Sequence, residues 1–230
     1  MMKRLPLLLL AVAASSFLCP LVSRAETLKP NIVYIISDDQ AWTDYGFMGH
    51  KLIETPNLDR LAARSAVFPR GYVPTALCRP ALATLANGLY AHQHGVTGND
   101  PAMEKEIGKK EKGKPEGKPE GKPEGKPKGK PKGETPEYAA LREKLIAKMD
   151  VQPTIADLLS GAGYLSHQSG KWWEGSFQRG GFTHGMTRGF PEPGGRHGDD
   201  GLQIGREGME PVFAFIDQAV AEKKPFFLWN

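Results

Sequence analysis

The chain has 230 residues, 40% of them hydrophobic, with 30 Lys plus Arg against 26 Asp plus Glu and a formal charge of +4. That length supports one sizeable core. The positive charge is local: eleven Lys against six Glu fall between Glu104 and Gly133, and Lys3, Arg4 and Arg24 add three more, so the remainder is about four units negative and a nucleic-acid-binding face is excluded.

Along the chain, Lys3 and Arg4 precede an apolar run, Leu5 to Ala14, and Ser23-Arg24-Ala25 follows. A basic start, an apolar middle and a small-x-small ending form an export-signal pattern over residues 1–25, cleaved after Ala25. The mature protein is then expected to be periplasmic or secreted. A membrane anchor needs about 20 apolar residues, more than Pro20 leaves, and no later segment is long enough, so no membrane attachment is expected after cleavage. Cys19 departs with the signal. Cys78 is then the only cysteine of a mature chain of about 205 residues, and in a disulfide-forming compartment a lone thiol is buried, oxidised or chemically employed.

"NIVYIIS" (31–37) is almost continuously apolar and β-branched, which predicts a parallel strand buried on both faces. "TPNLDRLAARS" (55–65) predicts a helix with Thr55 as N-cap, Pro56 at its first position, and Leu58, Leu61 and Ala62 on one face. "ALATLANGLY" (81–90) predicts a second helix, stopped by Gly88. "GKPEGKPEGKPEGKPKGKPKG" (113–133) is five tetrapeptide repeats that bury nothing, so the segment from about 104 to 136 is expected to be a disordered loop insertion. Beyond it, "QPTIADLLSGAGYLSHQSGKW" predicts a helix capped near Thr154 and a strand from Tyr164. "MEPVFAFIDQAVAEKKPFFLWN" predicts a helix from about Pro211 to Glu222 and an interior strand from Pro225. Alternating helices and strands mean an α/β fold with a mostly parallel sheet flanked by helices. Because the last strand ends with Asn230, the sheet is expected to be truncated at its C-terminal side, the sequence being the N-terminal part of a larger domain or the product of a shortened gene.

Two places invite chemistry. Asp38 and Asp39 follow directly on the first strand, at the edge where open parallel sheets bind ligands. Two adjacent carboxylates repel unless a cation joins them, although Asp is also common in plain strand-end turns. Cys78, between Thr75 and Pro80, stands just before a helix. It is either a small buried hydrophobe or a thiol whose pKa the helix N-terminus lowers. His92 and His94 lack the partners of a zinc site. His184 and His197 are glycine-flanked loop histidines, and Trp172, Trp173 and Phe177 read as core or pocket wall.

In order, "KPNIVYIISDDQ", "TPNLDRLAARSAVF", the Cys-x-Pro stretch leading to "NGLYAHQHGV", "GYLSHQSGKWWEG" and "KPFFLW" resemble the blocks of the N-terminal domain of the sulfatase family, of the alkaline phosphatase-like superfamily. The resemblance covers residues 29–230, interrupted by the repeats. It implies an alkaline phosphatase-like fold and a metal-dependent hydrolase of sulfuric esters. By the same resemblance, Asp38 and Asp39 match metal ligands, usually to calcium. Cys78 matches the cysteine that a maturase oxidises to formylglycine, whose hydrate is both metal ligand and nucleophile. Lys171 matches the lysine on the sulfate oxygens, and the substrate is a sulfated small molecule or polysaccharide.

The sequence departs from the family pattern in three places. The family's Cys-x-Pro/Ser-x-Arg motif here reads Cys78-Arg79-Pro80-Ala81-Leu82, and Arg79, three positions earlier than the usual arginine, is expected to point elsewhere. Trp173 stands where the family has a histidine, and an indole is no general acid; His184 and His197 are the candidates to replace it. The family's second metal pair, second histidine and second lysine lie beyond the stretch matched. Two alternatives therefore accompany the sulfatase reading: a phosphate- or phosphonate-ester hydrolase on the same fold, and a truncated or degenerate non-catalytic relative.

Overall fold

Four strands form one wholly parallel sheet in the order β1-β4-β2-β3: β1 Ile32–Tyr34, β2 Leu165–Gln168, β3 His184–Gly185 and β4 Phe226–Trp229. The structure is a computed structural model that describes residues 29–102, 135–195 and 199–230. The expected export signal, all but the last two residues of the 104–136 insertion, and His197 lie outside the described residues.

Six α-helices accompany the sheet among these residues: α1 Pro56–Ala62, α2 Cys78–Asn87, α3 Ala91–His94, α4 Pro136–Ile146, α5 Ile155–Gly161 and α6 Glu210–Ala221. The expected α/β class is what is found. Residues of α2, α4 and α5 bury one face of the sheet with Phe227, Trp229 and the indoles of Trp172 and Trp173. Phe215 and Ala219 of α6 pack on Leu165 and Phe226 of the other face. The alternation along β4 explains this split, because successive side chains of a strand point to opposite sides. Trp229 meets Tyr34 edge-on at 5.2 Å and Trp172 at 4.8 Å, offset geometries that aromatic quadrupoles favour. No described helix is long and apolar enough to cross a membrane.

Local chemistry accounts for the helix ends. Thr154 caps α5 through a capping box: its hydroxyl accepts from Asp157 N, and the Asp157 carboxylate accepts from Thr154 N at 2.8 Å. Gly88 ends α2 at φ 73°, a left-handed conformation that glycine adopts without strain. Helix α2 begins at Cys78, three residues before the expected start, so the thiol sits on its first turn. Helix α4 was not foreseen, although Thr135 accepts from Tyr138 N and Pro136 follows it, the signature used to place α1.

Three expectations need correction. Strand β1 is shorter than 31–37 and is not buried on both faces: α6 covers β2 and β4 but not β1, leaving Val33 53% and Ile35 69% exposed. Leu58 and Leu61 of α1 are also exposed, on an apolar groove of about 620 Å³ shared with Trp42, Phe47, Phe68 and Tyr72. Thr55 is the N-cap residue, yet its hydroxyl donates to the Asp59 carboxylate instead of accepting from the helix backbone.

His94 is a structural residue. Its Nδ1 accepts from Val96 N at 3.0 Å and its Nε2 lies 3.0 Å from the Thr84 hydroxyl, so both ring nitrogens are occupied without a metal. His167 on β2 is 4% exposed against Phe215, with Nδ1 lacking a hydrogen-bond partner. Burial, reinforced by the neighbouring His184, lowers its pKa from 6.5 to about 4. The unfolded chain therefore takes up this proton near pH 6.5 and the folded chain near pH 4. The stabilisation is complete above pH 6.5 and is lost progressively as pH falls toward 4, in total about 3 kcal/mol. Urea unfolding at pH 7 and pH 4.5 should show this loss, and His167→Leu should remove most of it.

Candidate active site

The site forms because three segments end at one edge of the sheet. Strand β1 runs out into Ser37, Asp38 and Asp39. Strand β4 runs into Asn230, which donates its N–H to Tyr34 O at 2.9 Å and accepts from Ile36 N at 2.8 Å. Strand β2 runs into Ser169, Gly170 and Lys171. Gly170 has φ 70°, and a Cβ there would lie 3.2 Å from the Asn230 carbonyl carbon. Only glycine lets the chain turn that tightly against β4 and bring Lys171 back over the edge.

A cleft of about 280 Å³ lies there, lined by Asp38, Asp39, Gln40, Cys78, Lys171 and Asn230, with Leu82 and Leu85 as its apolar wall. Adjacent residues of an extended strand point oppositely. Asp39 breaks that alternation with φ 55°, a left-handed conformation that Asp tolerates better than most residues. As a result a carboxylate oxygen of Asp38, one of Asp39 and the Cys78 sulfur all lie within 4.8 Å of one another. The Lys171 ammonium donates to Asp38 Oδ2 at 2.7 Å and shares the cleft wall with Cys78. Burial alone would lower the Lys171 pKa, but the hydrogen bond to Asp38 and the nearby Cys78 outweigh it and the net shift is upward. The four sequence-derived candidates are thus assembled in one cleft.

This donor set fits a hard divalent cation. Two exposed carboxylates converge with little to neutralise them except Lys171, and hard cations prefer such oxygen donors. Two further candidates do not reach the cleft. His184 lies on β3, at the far edge of the sheet, where it hydrogen-bonds Thr183 and packs on Phe215. Trp173 is 1% exposed in the core and offers no surface to a substrate. Among the described residues no histidine lines the cleft.

Behind the cleft is a set of charged side chains that the sequence reading missed. The Glu174 carboxylate, 0% exposed, forms an ion pair with Arg79 Nε at 2.8 Å and accepts from Arg142 Nη1. Arg79 Nε also donates to Trp173 O at 2.8 Å, and its backbone N–H donates to Asn99 Oδ1 at 3.0 Å. Arg142 Nη2 reaches Asp100 at 2.7 Å, and the Tyr138 hydroxyl donates to the same carboxylate oxygen at 2.8 Å. Arg79 does point away from the cleft, as expected, and this is where it points. Leu82, at the position of the family's motif arginine, is 7% exposed and packs in the core. The clue in the sequence was charge inside an apolar block: Arg79 beside Cys78 and Glu174 directly after two tryptophans.

The whole described chain matches one family model, named Sulfatase, over residues 30–230. The chain belongs to the sulfatase family. A curated sulfatase from Sus scrofa, N-acetylgalactosamine-6-sulfatase, is 32% identical over 164 residues, covering 71% of this chain and 24% of that protein. The crystal structure of Ps i-CgsB superposes with a TM-score of 0.55 at 25% identity, covering 87% of this chain and 44% of that one. The same protein in complex with k-i-k-neocarrahexaose gives a TM-score of 0.51 at 23% identity, with the same coverage. The fold is therefore that of the sulfatases, alkaline phosphatase-like, and the chain spans less than half the length of each of these proteins.

Stability separates the two readings of Cys78. The thiol is only half-buried on the cleft wall, so Cys78→Ser should change unfolding free energy by less than about 1 kcal/mol. Leu82→Ala, one helical turn on and inside the core, should cost about 2–4 kcal/mol. Chemical denaturation of both variants checks the contrast, and a large loss for Cys78→Ser would restore the buried-filler reading.

Proposed function

We propose that this protein is an exported, divalent-cation-dependent hydrolase of sulfuric esters. The observation that carries the reading is the convergence of Asp38, Asp39, Cys78 and Lys171 in one cleft of a sulfatase-family chain. Export rests on the signal-like pattern of residues 1–25, and residues 29–230 form the N-terminal sulfatase domain, interrupted at about 104–136.

In this reading Asp38, Asp39 and the modified Cys78 hold the cation, with Ca2+ the best match to hard oxygen donors. When bound, the cation lowers the pKa of the nucleophile and offsets charge developing on the transferred group. Cys78 is the precursor, oxidised by a formylglycine-generating maturase. An oxygen of the formylglycine hydrate forms a bond to sulfur while the bond from sulfur to the ester oxygen breaks, and the alcohol leaves with a proton. Lys171, whose ammonium stands at the cleft mouth beside Asp38, would donate to the sulfate oxygens and steady their charge. Trp173 is no general acid, because its indole N–H does not ionise near neutral pH and the ring is buried behind the site. The substrate is a sulfated small molecule or a sulfated polysaccharide. The open cleft, and the bound carrageenan-type oligosaccharide of the Ps i-CgsB complex, favour the latter.

Parallel assays with an aryl sulfate and an aryl phosphate test the reaction class. Sulfate release should exceed phosphate release, and a chelator should abolish it. Lys171→Met and Asp38→Asn should each lower kcat by about 10²–10³-fold. A clear phosphate preference would move the protein to the phosphate- or phosphonate-ester class. Complete inactivity, with the Cys78 peptide keeping its full thiol mass after export, would leave a non-catalytic relative.

A further inference from the structure

We infer that Glu174 and Arg79 are positioning residues: their buried ion pair sets the distance between Cys78 and Lys171. The inference rests on the reading of those two residues as the reacting pair. The geometry is direct. Arg79 follows Cys78 on the first turn of α2, and Glu174 lies three residues after Lys171. One guanidinium nitrogen, Arg79 Nε, binds both the Glu174 carboxylate and Trp173 O, each at 2.8 Å. The nucleophile helix is thereby tied to the lysine loop immediately behind the cleft. Arg142 grips the same carboxylate from α4, while Arg79 N and Arg142 Nη2 hold the adjacent residues Asn99 and Asp100. Two helices meet at the Glu174 carboxylate, and the 99–100 segment joins them through the same two arginines.

The chemistry of the cluster argues for a role beyond cohesion. Two guanidiniums, Glu174 and Asp100 sum to zero charge, yet Arg79, Arg142 and Glu174 are at most 3% exposed. Buried ion pairs of this kind contribute little net stability compared with apolar side chains of the same size. What a guanidinium with several partners does supply is fixed geometry, because its donors lie in one rigid plane that admits few orientations. An apolar contact at the same place would let α2 slide against the lysine loop, and a displacement of about 1 Å at a reacting pair costs up to about a hundredfold in rate.

The test reads the Cys78–Lys171 distance directly in protein that keeps the Cys78 thiol. o-Phthalaldehyde bridges a thiol and an amine in contact to give a fluorescent isoindole, and Cys78→Ser supplies the blank. The full chain should form the isoindole readily. Glu174→Gln should slow its formation by about tenfold or more. Since Glu174→Gln may fold poorly, the double variant Arg79→Met with Glu174→Leu is measured beside it. It removes the pair while leaving Arg142 its contact with Asp100, and should fold with near-native circular dichroism and show the same slowing. If the folded double variant labels at the wild-type rate, the pair is only structural and the inference is overturned, with the active-site reading intact. If the unaltered chain labels no faster than Cys78→Ser, Cys78 and Lys171 are not neighbours, and the active-site reading fails along with this inference.

Discussion

The insertion of β4 between β1 and β2 is the constraint on which everything else depends. Phe226 to Trp229 pair in parallel with β1 on one side and with β2 on the other, and all four of their side chains are buried. Parallel pairing puts the C-terminal ends of β1, β4 and β2 on the same edge, where ligands of open α/β sheets bind. Asp38 and Lys171, 133 residues apart, become hydrogen-bonded neighbours because each follows a strand that flanks β4. Asn230 then fills the space between them. The site is a property of strand order, and no single segment contains it.

A second layer of organisation lies beneath. The protein keeps a neutral cluster of arginines and carboxylates within its main core, against the indoles of Trp172 and Trp173. Its surface counterpart is Arg179, which bridges Glu143 and Asp150 at the rim of the same helices. Surface pairs of that kind contribute about 0–1 kcal/mol and are screened by salt. The buried cluster differs in kind, because each member left alone would carry an uncompensated charge in the interior. The contrast separates charge that decorates a surface from charge that dictates how helices and loops meet.

The large features were legible in the sequence for identifiable reasons. Apolar runs of strand length marked β1 and β4, and Thr154 with its following helix announced α5 and the strand β2 after it. The pair Asp38-Asp39 at a strand end, Cys78 and Lys171 could be named before any coordinates because their motif blocks occur in family order. What stayed hidden depends on contacts across the chain. Nothing in "NIVYIIS" says that it forms an edge whose outer face stays uncovered. The two-residue strand β3 is too short for any periodicity. The Arg79–Glu174 pair joins positions 95 residues apart in sequence, and although each charge sits in an apolar block, neither window says which partner it meets. His184 looked like a substitute for the missing histidine only because a one-dimensional reading cannot tell the near edge of a sheet from the far one.

The strand order also fixes a sequence of events. Asn31, at the head of β1, accepts from Phe226 N at the head of β4, 195 residues later in the chain. At about 5–20 residues per second of synthesis, the first strand waits on the order of 10–40 s for the partner that will hold it. During that interval β1 has no neighbour in the sheet, its apolar side chains are uncovered, and Asp38 has no Lys171 beside it. The cleft therefore cannot close before β4 has been made. Until then the thiol at position 78 stays uncovered on the side that Lys171 later occupies.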